Sequence, residues 1–206
     1  MKRFKAVIFD LGGVLIKGKK IEFSQGVHKM VAKKLHVDLD PYFDSIDMVY
    51  ADATRGKVSK RKALKSMAHN LNTTPKKLEK VYSEVYKTNF APDSTMCDFA
   101  LELKKRGYKI AIISDIWPVA KEVLLKKDHF RQFDAVIASC DIGSMKIEDK
   151  IFKVALKKLK INPKEALFTD NLKENLSAPK KLGITTILYK NNKQFFREFK
   201  KLGIEA

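Results

Sequence analysis

Cysteine is scarce in this chain of 206 residues: there are two, Cys97 and Cys140, far apart. They form neither a zinc-ligand pattern nor a disulfide framework, which fits a reducing, cytoplasmic setting. Long apolar runs are also lacking. None approaches the roughly 18–20 residues of a membrane-spanning helix, so no membrane association is expected. Met1-Lys2-Arg3 resembles the basic start of a signal peptide. However, the apolar stretch Ala6-Val7-Ile8-Phe9 is broken at once by Asp10, and no small-residue cleavage site follows. Arginine is the third shortage. Lys and Arg total 42 against 24 acidic residues, for a net charge of +18, yet the arginines are only Arg3, Arg55, Arg61, Arg106, Arg131 and Arg197. Base reading and bidentate phosphate clamping lean on arginine. A lysine-dominated excess reads as solvated helix faces, so nucleic acid is not the expected partner.

What is present is a normal share of hydrophobic residues, 45%, enough for a real core. At about 100–200 residues per domain, the length suits one large domain or one domain with an insert. Short apolar, partly β-branched segments at 4–9, 109–113, 134–138, 166–169 and 185–189 read as buried strands. Helical patterns separate the later ones. Residues 94–106 end in Lys104-Lys105-Arg106 and then Gly107, a basic last turn with a terminating glycine. In 149–160, Ile151, Phe152, Ala155, Leu156 and Leu159 share one face. Residues 172–182 form a third helical pattern. Strand and helix in alternation predict an α/β fold with a doubly wound parallel sheet.

Residues 17–91 differ. Apolar positions there follow helical spacing, with turns at Asp40-Pro41, Arg55-Gly56 and Thr74-Pro75. This predicts three or four helices inserted after the first strand, with residues 1–16 and 92–206 forming the α/β core.

In such a sheet, chemistry sits beyond the carboxyl ends of the strands. Asp10 ends the first strand beside permissive glycines. Alone, it reads more often as a turn or cap residue. The second core strand ends in Ser114-Asp115, the fourth in Thr169-Asp170-Asn171, and Lys146 precedes the helix at 149–160. These points can converge on one crevice. Two carboxylates form a hard oxygen site for Mg²⁺. Lys146 and Ser114 can hold phosphoryl oxygens, and Asp10 can attack phosphorus in line.

The order and spacing of these segments resemble the haloacid dehalogenase-like hydrolase superfamily, in its small helical-cap subclass, over nearly the whole chain. Val7-Ile8-Phe9-Asp10-Leu11-Gly12-Gly13-Val14-Leu15 resembles its first motif. Ile112-Ile113-Ser114-Asp115 resembles the second, Lys146 the third, and Phe168-Thr169-Asp170-Asn171 running on to Leu182-Gly183-Ile184 the fourth. The resemblance implies a Rossmann-like core and a Mg²⁺-dependent phosphatase that acts on a small phosphorylated metabolite through phospho-Asp10. The metal would be held by Asp10, the Gly12 carbonyl and Asp170, and the phosphoryl group by Ser114 and Lys146, with Asp115 also at the substrate. Arg55-Gly56-Lys57-Val58-Ser59 resembles a turn in the cap, making Arg55 a possible contributor, as is Asn171.

Five positions depart from the family pattern. Gly12 stands where a second Asp usually protonates the leaving group, a contribution of about 10²–10⁴-fold. Three outcomes remain open: a substrate with a good leaving group, a replacement acid (Asp115, Asp141 or a cap residue), or phosphate binding with little turnover. Asn171 replaces a frequent acidic residue and Asp115 a frequent Asn. Ile147 replaces a frequent Pro. Pro179 should kink or restart the last-motif helix, with Ser177 as a possible N-cap. Dehalogenase chemistry is disfavoured, because Lys17, Lys19 and Lys20 stand where that branch has an Arg, and Asp170 is retained. The histidines His28, His36, His69 and His129 have no metal-ligand spacing. Trp117 can line the pocket or pack its own loop. Tyr42, Phe43 and Tyr50 read mainly as cap core.

Overall fold

The computed structural model describes residues 3–19, 21, 25–125 and 130–204, so Lys20 and His129 lie outside the described residues. Five strands, β1 (Ala6–Phe9), β4 (Lys109–Ser114), β5 (Ala135–Ala138), β6 (Ala166–Asp170) and β7 (Thr185–Leu188), form one sheet in the order β5-β4-β1-β6-β7. Every pairing in it is parallel. These are the five strands read from the sequence.

Alternation along β1 sends its side chains to opposite faces. Val7 and Phe9 join one buried apolar cluster, while Ala6 and Ile8 join a second with Ile113, Ile137 and Phe168. Helix Asp149–Leu159 covers the second face with Ile151, Phe152, Ala155, Leu156 and Leu159, the stripe its sequence spacing predicts. Helices Ser94–Lys105 and Asn192–Lys201 cover the first. Their Phe99, Phe195 and Phe199 meet there with ring centroids 5.0–5.6 Å apart.

Between β1 and β4 the chain leaves through β2 (Ile16–Gly18) and returns through β3 (Phe90–Pro92), which pair antiparallel. Among the described residues, five helices lie between them: Gln25–Leu35, Leu39–Asp47, Tyr50–Thr54, Lys60–Asn70 and Pro75–Asn89. The sequence reading expected three or four. The short Tyr50–Thr54 turn is too brief to leave a periodic pattern. Ser59 and Thr74 cap the last two by accepting from Lys62 N and Lys77 N, and Pro75 takes the first helical position, where its missing N–H costs nothing. The apolar side chains of this insert are continuous with those on the first face of the sheet.

A second difference lies after β6. A 3-10 turn, Lys173–Leu176, precedes a short α-helix, Ser177–Lys181. Pro179 sits in the first turn of that helix, so it restarts rather than kinks the chain. Ser177 is the first helical residue, and no side chain caps the helix.

The insert touches the sheet end of the core through the loop after helix Tyr50–Thr54. Ser139 Oγ donates to Thr54 O at 2.8 Å and accepts from Ile116 N at 3.0 Å. Arg55 pairs with Glu148. Gly56 has φ +70°, and a Cβ there would lie 2.3 Å from the Cys140 carbonyl oxygen. Only glycine fits this approach. Gly56→Ala is therefore expected to destabilise the fold by at least about 1–2 kcal/mol from the left-handed backbone alone, with the insert becoming more sensitive to proteolysis. Urea unfolding and limited proteolysis measure both, and unchanged values would show that the contact contributes nothing.

Candidate active site

β1 is the central strand, flanked by β4 and β6. From it the chain runs outward through β4 to β5 and then crosses to β6 and β7 on the other side, so the crevice opens beyond its carboxyl end. Asp10 is the first residue past that end, and its N–H donates to Thr169 O on β6 at 2.9 Å. Register places Phe9 beside Ile112 and Thr169, which brings Ser114 and Asp170, at the ends of the two neighbouring strands, close to Asp10. The sequence expectation that these segments converge is met in space: Asp10, Gly12, Ser114, Asp115, Lys146 and Asn171 line one cavity of about 930 Å³.

Asp170 is fully buried and does not line that cavity. Its Oδ2 accepts from Lys146 Nζ at 2.6 Å, its Oδ1 from Leu172 N at 2.8 Å, and Asn175 Nδ2 approaches both oxygens at 3.2 and 3.1 Å. The same Lys146 Nζ lies 2.6 Å from Asp10 Oδ1. One ammonium thus bridges two buried carboxylates. Burial outweighs Lys146's attraction and, with Asp170's repulsion, pushes the Asp10 carboxyl up to about 6. Burial acts against Lys146's charge, but Asp10, Asp170 and Asp115 together hold its pKa above the ordinary lysine value. Asp115 accepts from the Lys146 backbone N–H at 3.0 and 3.3 Å. This fixes the loop that carries the lysine. Burial raises Asp115's carboxyl, and Lys146 partly offsets the rise.

Asn171 faces the other oxygen of Asp10. With its amide nitrogen turned inward it donates to Gly12 O at 3.0 Å and to Asp10 Oδ2 at 3.2 Å. Gly13 makes this approach possible: its φ is +86°, and a Cβ there would come within 2.8 Å of the Asn171 amide group. The resemblance implies Asp170 beside Asp10 at a metal. In the structure, the side chain against Asp10 Oδ2 and the Gly12 carbonyl is Asn171, while Asp170 is engaged by Lys146, Leu172 and Asn175. The difference arises because successive residues beyond a strand point in different directions. Turned the other way, the amide brings a third oxygen to Asp10 Oδ2 and Gly12 O. Separations of 3.0 and 3.2 Å match the edge of about 3 Å in a Mg²⁺ octahedron with oxygens at 2.0–2.1 Å. This all-oxygen set fits Mg²⁺. Among the described residues no three His, Cys, Asp or Glu side chains are grouped to hold a metal; two of these oxygens come from a carbonyl and an amide.

Other candidates are placed as follows. Lys17 lines the cavity, but its Nζ is 2.7 Å from Asp93 Oδ2 and donates to Tyr189 OH at 2.6 Å. Arg55 is paired with Glu148 and does not line the cavity. Asp141 is exposed, lies 2.6 Å from Lys121, and is also absent from the lining. Trp117 and Tyr50 both line the cavity, their rings 5.6 Å apart. Tyr42 is buried in the insert, where His28 Nδ1 lies 3.1 Å from its hydroxyl. No helix of the described residues is long and apolar enough to cross a membrane.

Comparison with known proteins gives a consistent result. The family model described as haloacid dehalogenase-like hydrolase matches residues 4–183. A glyceraldehyde 3-phosphate phosphatase of Pyrococcus furiosus is 26% identical over 204 residues, covering 94% of this chain and 83% of that protein. Bifunctional epoxide hydrolase 2 of Rattus norvegicus is 30% identical over 128 residues, 58% of this chain but 23% of that much longer protein. The chain therefore matches less than a quarter of the length of that relative. Among solved structures, the magnesium complex of a HAD family enzyme from Bacteroides thetaiotaomicron superposes with a TM-score of 0.76 at 21% identity, covering 97% of this chain and all of that one. At that identity the likeness is one of fold.

The bridging ammonium carries a stability consequence independent of any activity. Lys146→Met leaves two buried carboxylates without their cation, and loss of one partner of a buried pair costs about 3–5 kcal/mol. Denaturant unfolding in metal-free buffer should show a loss of that order. Wild-type stability in the variant would mean that the bridge does not hold the two strand ends together.

Proposed function

The chain belongs to the haloacid dehalogenase-like hydrolases, and from that premise we propose that it is a Mg²⁺-dependent phosphatase working through phospho-Asp10. The observation that carries this reading is the division of labour at Asp10: Oδ1 lies against Lys146, and Oδ2 against the Asn171 amide, which also meets the Gly12 carbonyl. One oxygen is placed for nucleophilic attack beside a cation. The other belongs to a three-oxygen set that would hold Mg²⁺, which when bound would neutralise phosphoryl charge. Asp10, the Gly12 carbonyl and Asn171 are the proposed ligands. Asp170 is a positioning carboxylate that aims Lys146.

Asp10 Oδ1 attacks phosphorus, and the bond from phosphorus to the alcohol oxygen breaks. Ser114 and Lys146 hold the non-bridging oxygens. The departing alkoxide takes a proton. With Gly12 unable to supply one, Asp115 is the cavity-lining carboxyl proposed to do so, its affinity for a proton raised by burial. Water then attacks phospho-Asp10 and returns its proton to Asp115, releasing inorganic phosphate and free Asp10. The phosphatase among its relatives supports this chemistry. Gly12 also favours a second reading, a phosphate-binding protein with little turnover, and one assay separates the two.

Wild type should hydrolyse p-nitrophenyl phosphate with Mg²⁺ and lose the activity in EDTA, and Asp10→Asn should lower kcat by about 10³-fold or more. Absence of metal-dependent turnover in wild type would overturn the phosphatase reading. Asn171→Asp adds a charge to the ligand set and should lower the half-saturating Mg²⁺ concentration by about tenfold. An unchanged Mg²⁺ requirement would return the ligand role to Asp170.

A further inference from the structure

The cavity extends well beyond the reaction centre, and its outer lining is unusual for a site that binds metabolites. At about 930 Å³, it is near the upper end of small-molecule sites, about 300–1,000 Å³, and far larger than a phosphoryl group and a three-carbon alcohol need. The wall beyond Asp10 is made of Tyr50, Tyr86, Ile116, Trp117 and Leu124. The polar tip of the indole is already used, since Trp117 Nε1 donates to Tyr86 OH at 3.1 Å. Tyr82 packs edge-on to Trp117 at 4.9 Å and holds that ring in place from behind. Trp117, Tyr86, Ile116 and Leu124 are buried in this wall, and its exposed surface comes from the Tyr50 ring.

The charged residues lining the cavity are Asp10, Lys17, Asp115, Lys146 and Glu174. Lys146 serves the two buried carboxylates. Lys17, the cation farther out, is held by Asp93 with Tyr189 and Asn192 around it. Among the described residues, the lining thus offers no uncommitted cation to a second anionic group on the substrate. A carboxylate or second phosphate there would be desolvated without compensation. Two further aliphatic side chains line the cavity and remain open to solvent, Ile147 at 54% and Leu172 at 48% exposure. Exposed aliphatic surface in a concave site is what an apolar ligand covers.

We propose that the phosphoryl group arrives on an uncharged, mainly apolar alcohol, as an alkyl, prenyl or aryl phosphomonoester. Its hydrocarbon part lies against Tyr50, which is backed by the buried Trp117, Ile116 and Leu124, with Ile147 and Leu172 closing over it. The proposal deepens the phosphatase reading and rests on it for the position of the phosphate.

Trp117 is the only tryptophan in the chain, so its fluorescence reports directly on this wall without any turnover. Asp10→Asn protein is titrated in Mg²⁺ with geranyl monophosphate, glycerol 3-phosphate and 3-phosphoglycerate. Geranyl monophosphate should half-saturate the fluorescence change at a concentration at least tenfold below that of glycerol 3-phosphate, with 3-phosphoglycerate weakest. Leu172→Asp in the same background should weaken the geranyl ester several-fold more than the glycerol ester. Equal or tighter binding of the polar esters, or equal losses in the Leu172 variant, would overturn the assignment. Wild-type release of phosphate from p-nitrophenyl phosphate is measured alongside. Turnover with the wrong binding order refutes only the apolar substrate class, whereas the right order without turnover refutes only the phosphatase.

Discussion

One buried ammonium holds the reaction centre together. Lys146 Nζ lies 2.6 Å from a carboxylate oxygen on each of two neighbouring strand ends, Asp10 and Asp170. Without it, two buried carboxylates would face each other in a medium that stabilises charge poorly. With it, the loop after β5 is tied to β1 and β6, and the carboxylate of Asp115, just past β4, fastens the same loop through the Lys146 backbone N–H. Four segments distant in sequence are thus fixed by the contacts of a single residue. Asp10 keeps its second oxygen free of the lysine, and the Asn171 amide meets it on that side.

The parallel sheet is what permits this economy. β1 lies in the middle of the order, so its carboxyl end has a neighbour on each side, and both neighbours end in residues with oxygen donors. The helical insert adds the far wall of the cavity. It is held down where Gly56 passes close to the Cys140 carbonyl and where Arg55 pairs with Glu148. The Arg55 side chain belongs to this attachment, not to the cavity lining. The aromatic residues of the insert do two jobs. Tyr42 and Tyr82 are buried within it, while Tyr50 and Tyr86 face the cavity beside Trp117.

Much of this was readable in the sequence. The five strands show as short apolar runs, and the helix at Asp149–Leu159 shows as a stripe, because burial on a regular element imposes its period on the chain. Asp10, Ser114, Lys146 and Asp170 are identifiable because strand ends are where a doubly wound sheet exposes chemistry, and because their order and spacing resemble a family. Other features left no such trace. Asp170 and Asn171 are adjacent, and nothing in their order says which turns to Lys146 and which to Gly12. Asp141 is as plausible a replacement acid as Asp115 on paper, but it ends up exposed beside Lys121. The helix Tyr50–Thr54 is too short to show a period, and the placing of Trp117 depends on Tyr82 and Tyr86, more than thirty residues away.

By itself, the sequence determined the α/β class, the strands and the main helices, and it named the side chains proposed for phosphoryl chemistry. These follow from local patterning and side-chain type, which act over a few residues. The tertiary structure alone decided which oxygen of Asp10 meets the lysine and which the amide, that Lys17 and Arg55 are committed to Asp93 and Glu148, and that the outer cavity is walled by rings. Those outcomes depend on directions and distances between elements far apart in the chain, where a shift of one residue or about 3 Å separates a ligand from a bystander.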